Sequence, residues 1–215
     1  MKILLVDDHK IIRDGLRAIL EKHTGMLVAG EAANGHDAIA LAQSLHPAVV
    51  VMDVTMPGLN GMDATRRIVE AEPDAKVIGL SMNSDRRYVL AMFEAGAVGY
   101  LLKNAASDEL LQAIDAVTRG QKYVSPAIAS VLVESFVHPA DLSAGPPAKV
   151  LSAREREVLQ LLAEGKTSKQ IATELGVALS TVESHRRQIM SKLKIHSIAE
   201  LTKYAIREGL TSVDA

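Results

Sequence analysis

Between Lys2 and Gly120 one pattern recurs five times, a short apolar run followed by an amphipathic stretch of helical period. Residues 2–6 precede Ile12, Leu16, Ile19 and Leu20; Leu27–Gly30 precede Ala38, Ile39, Leu41, Ala42 and Leu45. Ala48–Met52 precede Ile68 and Val69; Lys76–Leu80 precede Val89, Leu90, Met92 and Phe93; Val98–Leu102 precede Leu110, Leu111, Ile114 and Val117. Short strands that return through helices pair in parallel, so the pattern predicts an α/β class unit, a doubly wound (βα)5 sheet with helices on both faces. Ser107 is the expected N-cap of the last of these helices, and Gly120 its C′ residue.

The third run says where the chemistry sits. Ala48-Val49-Val50-Val51-Met52 is apolar without alternation, as in a strand covered on both faces, and it delivers Asp53 to its end before Met56-Pro57-Gly58 forces a loop. Ligands in open α/β sheets bind beyond the carboxyl ends of the strands. Asp53 alone would pass for a helix cap, but the same edge collects Asp7 and Asp8 after the first strand, Ser81 after the fourth and Lys103 after the fifth. Three crowded carboxylates repel, so either one takes a proton or the cluster holds a cation. All-oxygen ligands at a partly open site favour Mg²⁺, which keeps waters and joins phosphates. Lys103 supplies a point charge for a phosphoryl oxygen, and Ser81 a hydroxyl donor.

Composition narrows the setting. The 215 residues suit two small domains; 48% hydrophobic content, a net charge of −2 and a mean hydropathy of +0.13 are ordinary for a soluble protein. No apolar run reaches the roughly 18 residues of a membrane span, and Met1–Asp8 does not read as a secretory leader, so a cytoplasmic protein is expected. Without cysteine there is no disulfide, thiol nucleophile or Cys-ligated metal. The charge is divided unevenly: residues 1–124 hold 13 Lys/Arg against 16 Asp/Glu, residues 125–148 only Glu134 and Asp141, and residues 149–215 hold 11 against 8. The basic last third suggests a polyanionic partner.

Residues 1–122 resemble the receiver domain of two-component response regulators, through Asp7-Asp8, Asp53-x-x-Met-Pro-Gly with Gly61 beyond it, Ser81, and Gly99-Tyr100-Leu101-Leu102-Lys103. The resemblance implies a flavodoxin-like fold with strand order 2-1-3-4-5 and Asp53 as phosphoacceptor. It also implies Mg²⁺ held by Asp8, Asp53 and the Thr55 backbone carbonyl, with Asp7 acting through water. Ser81 and Lys103 would contact the phosphoryl group, and Tyr100 would swing inward with Ser81. Many receivers carry proline after this lysine, often with a cis bond, whereas Asn104 stands here.

From Gln121 the βα rhythm stops. Ser125-Pro126, then Ile128, Val131, Leu132 and Val133, predict a short connecting helix within a linker over residues 123–148. Its Pro- and Gly-containing part, residues 138–149, would span about 20 Å if flexible. Four capping-box patterns follow: Ser152-x-x-Glu155, Thr167-x-x-Gln170, Ser180-x-x-Glu183 and Ser197-x-x-Glu200. They predict an all-α domain of four helices over 149–215, the middle two joined through Gly176-Val177-Ala178-Leu179 as a helix-turn-helix whose second helix enters the major groove of DNA.

At 100° per residue, Val182, Ile189 and Leu193 form the buried stripe of the helix over 181–193, and Glu183, Ser184, Arg187 and Ser191 lie opposite. Arg186 falls at the edge of the stripe, with His185, Gln188 and Lys192 on the other flank and Lys194 beyond. Arg187 suits a guanine, while Lys169, Thr181, Lys192 and Lys194 suit phosphates. Residues 151–210 also resemble the LuxR-type helix-turn-helix of the NarL/FixJ subfamily, through Leu151–Leu159, Gly165–Ala172 and Ser180–His185. Glu183 stands where relatives have lysine; base reading by it ranks second to a capping role.

Together the two resemblances imply a DNA-binding transcriptional regulator phosphorylated on Asp53 by a sensor histidine kinase. They further imply a homodimer when phosphorylated or on operator DNA, no membrane contact, and no enzymatic activity beyond the chemistry of its own phosphoryl group. A haloacid-dehalogenase-type phosphatase also uses a strand-end aspartate, Mg²⁺ and lysine, but needs a second aspartate where Thr55 stands. A quorum-sensing LuxR protein would have no use for Asp7, Asp8, Asp53 and Lys103 together.

Overall fold

The computed structural model describes residues 1–104, 107–137 and 150–211, with only the backbone described for 134–137. The Pro- and Gly-containing part of the expected linker, residues 138–149, therefore lies outside the described residues, as do 105–106 and 212–215. The described residues divide into two compact units, one holding Met1–Met56 and the described part of Asn60–Ser143, the other Pro57–Leu59 and the described part of Ala144–Ala215.

In the first unit the expected alternation appears as β1 (Lys2–Val6), α1 (Lys10–Leu20), β2 (Leu27–Ala32), α2 (Gly35–Leu45), β3 (Val49–Asp53), α3 (Gly61–Ala71), β4 (Lys76–Ser81), α4 (Arg86–Glu94), β5 (Gly99–Leu102) and α5 (Ser107–Thr118). All pairings are parallel, in the order β2-β1-β3-β4-β5-β6. The sixth strand, β6 (Tyr123–Val124), was not expected; two residues are too few to show a period, and they lie beyond the boundary drawn at 122. After it α6 (Pro126–Val137) opens at Pro126 and packs on α4, its Ile128 fully buried, so this helix belongs to the sheet's unit rather than to a linker.

Every residue of β3 is buried, as its unbroken apolar run required. Ile3, Leu5, Val49, Val51, Ile78 and Leu101 pack against Leu20, Leu110, Ile114 and Val117 of α1 and α5. At roughly 1.5–3 kcal/mol for each large apolar side chain removed from water, this layer holds the strand ends in place. Gly120 takes φ +79, as a C′ residue would, but α5 begins at Ser107 itself, which is thus the first helical residue and not the N-cap.

The second unit has α7 (Ala153–Ala163), α8 (Ser168–Glu174), α9 (Leu179–Leu193) and α10 (Ile198–Arg207) around Val158, Leu159, Leu161, Ile171, Val182, Ile189, Leu201 and Ala205. Ser152 with Glu155 and Thr167 with Gln170 form both bonds of a capping box. Ser197 makes only the forward bond, to the amide of Glu200. The box expected at Ser180 and Glu183 does not form: α9 starts at Leu179 with Ala178 at its N-cap, which leaves Ser180 inside the helix. Among the described residues no helix is long and apolar enough to cross a membrane.

Candidate functional site

Sheet register assembles the first site. Val6 pairs with Met52, so Asp7 comes level with Asp53; Asp53 pairs with Leu80, and Ser81 with Leu102, so Ser81 and Lys103 follow at the same edge. Gly61 lets α3 begin against this strand end, since a Cβ there would lie 1.9 Å from the Asp53 carbonyl oxygen. Asp7 is wholly buried and Asp53 is 3% exposed, whereas Asp8 lies half-buried at the rim.

Lys103 Nζ stands 2.8 Å from Asp53 Oδ2 and 2.7 Å from Asp7 Oδ2, one ammonium shared by two buried carboxylates. The Thr55 amide donates to Asp53 Oδ1 at 3.2 Å. Burial pushes the Asp53 carboxyl up to about 7; the charge of Lys103 opposes this and that of Asp7 adds to it. Burial works against the Lys103 ammonium too, but the two carboxylates hold it above its usual range.

Ser81 is buried and its hydroxyl accepts from the Asn83 amide at 3.0 Å, while the Tyr100 hydroxyl donates to the Asn83 carbonyl at 2.8 Å. Asn83, which sequence reasoning missed, thus ties the two residues together. The Tyr100 ring is fully buried. No described peptide bond is cis, that after Lys103 included.

The three carboxylates suit a hard divalent cation, and ligand atoms of Asp7, Asp8, His9 and Asp53 all lie within 4.8 Å of one another. His9 was not foreseen, although a metal-ligating residue type directly after Asp7-Asp8 was a legible signal. Arg13 was also missed. Its guanidinium donates to the Asp7 carbonyl at 2.6 Å and to Glu31 at 3.1 Å, fixing the end of β1.

The second site is the outer face of α9. Val182 and Ile189 are fully buried and Leu193 partly so, which sets the helix rotation as the spacing predicted. Thr181, Arg187, Gln188, Ser191, Lys192 and Lys194 are exposed, as is Lys169 on α8, while Ser184 and His185 are half-buried. Arg186 is turned to other work: its guanidinium donates to Ser168 Oγ at 2.8 Å and to Glu183 at 3.2 Å, clamping α9 to α8. Bonds from Ser168 and Arg186 hold the Glu183 carboxyl below its ordinary range, so its partner is this clamp and not the N-cap backbone.

Lys192 also departs from its expected part. Its ammonium lies 2.7 Å from Glu155, the buried carboxylate that bonds the Ser152 amide at 2.7 Å. It therefore fastens α9 to the start of α7, and a cation so held is poorly placed to neutralise a phosphate.

The model of the response regulator receiver domain matches residues 3–115, and that of the luxR family of bacterial regulatory proteins matches 149–205. The chain is 40% identical over 214 residues to oxygen regulatory protein NreC of Staphylococcus haemolyticus, covering 98% of this chain and 99% of that one. It is 38% identical over 214 residues to response regulator UvrY of Escherichia coli K12, covering 100% and 97%. Among solved structures, that of the response regulator RcsB in complex with DNA matches with a TM-score of 0.61 at 27% identity, over 97% of this chain and 98% of that one.

Proposed function

The chain belongs to the two-component response regulators of the NarL/FixJ type, and we propose that it is a transcriptional regulator switched by phosphorylation of Asp53 from a sensor histidine kinase. The observation that carries this is Lys103 shared between Asp7 and Asp53 at 2.7 and 2.8 Å, on a chain that also carries an exposed helix-turn-helix face. Such a lysine can pass from a carboxylate oxygen to a phosphoryl oxygen without leaving the pocket.

Asp7, Asp8, Asp53 and the Thr55 carbonyl would hold Mg²⁺; when bound, the ion would neutralise charge between the carboxylate and the phosphoryl oxygens. The Asp53 carboxylate attacks phosphorus, a new O–P bond forming as the N–P bond of the donor phosphohistidine breaks. Lys103 then binds the phosphoryl group, and Ser81 reaches it by leaving the Asn83 amide. Because Tyr100 holds the same residue through its carbonyl, the loop after β4 carries the change outward. The chain's own covalent chemistry is confined to gaining and losing this group. Incubation with acetyl phosphate and Mg²⁺ should place a single phosphoryl group on Asp53, located by peptide mass analysis; a group elsewhere would overturn the assignment.

The phosphorylated chain binds duplex DNA as a homodimer, a reading supported by the likeness to RcsB, one of whose structures holds two dimers on two parallel DNAs. Exposed on α9 opposite the buried stripe, Arg187 enters the major groove and bonds guanine O6 and N7. Ser184, His185 and Thr181 border the same face; Glu183 and Arg186 support it from their clamp, and Lys169 and Lys194 meet phosphates. Arg187→Ala is expected to cost roughly 1–3 kcal/mol on the specific site and to relax preference at one base pair. Lys169→Ala is expected to weaken all sequences alike and lower the salt slope of log K by about 1. Anisotropy titrations on specific and scrambled duplexes distinguish the two; an equal loss on both duplexes for Arg187→Ala would make it a phosphate contact.

A further inference from the structure

His9 follows the acidic pair and stands at the N-cap of α1, yet its side chain makes no capping hydrogen bond. Its imidazole turns instead to the carboxylates, with Nδ1 2.7 Å from Asp8 Oδ1 and 3.4 Å from Asp7 Oδ1. Neighbouring ligands on an octahedral ion with bonds of about 2.1 Å lie about 3 Å apart, and these two separations bracket that edge. The ligand atoms of His9, Asp7, Asp8 and Asp53 all lie within 4.8 Å of one another, a little wider than the roughly 4.2 Å across an octahedral ion with such bonds, so small side-chain shifts would bring them onto one ion. With the side chain 66% exposed, little packing opposes a small turn of the ring.

We propose that His9 is a further protein ligand of the cation site and makes it prefer imidazole-seeking divalent ions such as Ni²⁺ and Zn²⁺ over Mg²⁺. This rests on Asp7, Asp8 and Asp53 forming a cation site. Mg²⁺ takes oxygen ligands and keeps its waters, so it gains nothing from the imidazole. Ni²⁺ and Zn²⁺ bind imidazole well and stand above Mg²⁺ in affinity for mixed nitrogen and oxygen donors. The receiver then holds such ions tightly at the position where a phosphoryl-transfer cation would sit, and a trace of them competes with Mg²⁺ in excess.

The test is calorimetric titration of the full chain with Ni²⁺ and separately with Mg²⁺, for wild type, His9→Ala and Asp8→Asn. Paramagnetic broadening of the amide signals of residues 8–10 and 53–55 assigns the Ni²⁺ to this site and not to another histidine. Expected is a loss of about tenfold or more in Ni²⁺ affinity for His9→Ala with Mg²⁺ affinity unchanged. Equal Ni²⁺ affinity in wild type and His9→Ala, with Asp8→Asn weakening both ions, would overturn the role of His9 alone. Mg²⁺ binding untouched by Asp8→Asn would overturn the cation site itself. Circular dichroism of His9→Ala checks that α1 is kept.

Discussion

Asp53→Asn is expected to abolish phosphoryl incorporation and, at the same time, to make the receiver unit more stable at alkaline pH. The first effect follows because the amide is no nucleophile and no other described carboxylate shares the Lys103 ammonium except Asp7, which is wholly buried. The second follows from the folded-state shift of Asp53 from 3.8 to about 7. Between those values the folded protein keeps a proton that the unfolded chain has lost, so stability falls as pH rises, and above about 7 the full cost is present. Asparagine removes that cost, a gain on the order of 4 kcal/mol at pH 8 that vanishes below about pH 4. Hydroxylamine-sensitive phosphate measures the first effect, and urea unfolding at pH 8 and pH 4 the second. A variant that still takes phosphate, or that is less stable than wild type at pH 8, would contradict this.

Lys103→Met acts in the opposite direction. The lysine side chain is 8% exposed and its two partners 1% and 4%, so its loss leaves two buried carboxylates with no counter-charge between them. Breaking such a pair from one side costs about 3–5 kcal/mol. Without the ammonium that opposes the effect of burial, the Asp53 carboxyl would be raised further, so the loss is greatest at pH 8 and shrinks as Asp53 takes a proton towards pH 4. Hydrogen exchange of the β3 amides at the two pH values reads this locally; unchanged protection at pH 8 would show that Lys103 is not the group that makes the carboxylate pair tolerable.

The βα alternation was legible because each strand is a run of four or more apolar residues and each helix has a stripe. Asp7, Asp53, Ser81 and Lys103 were legible as a group because parallel strands bring their carboxyl ends to one edge. Tyr123-Val124 escaped notice because two residues carry no period, and only the open edge of β5 makes them a strand. Ser180-x-x-Glu183 has the letters of a capping box, but α9 begins one residue earlier, at Leu179 with Ala178 as its N-cap, and Glu183 bonds to Arg186 instead. Lys192 read as a phosphate contact because its partner, Glu155, is 37 residues away in the sequence and only the packing of α7 on α9 brings them together. Asn83 gave no signal, since its role is played by its backbone amide and carbonyl.

Coupling between the two units is the centre of this account, and anisotropy of a labelled duplex recovered by genomic footprinting measures it. The full chain is titrated with and without beryllofluoride and Mg²⁺, beside Asp53→Asn under the same conditions. Tighter binding by the beryllofluoride-treated wild type, with no gain for Asp53→Asn, is expected; equal affinity of the wild type in both states would contradict a phosphorylation switch on Asp53.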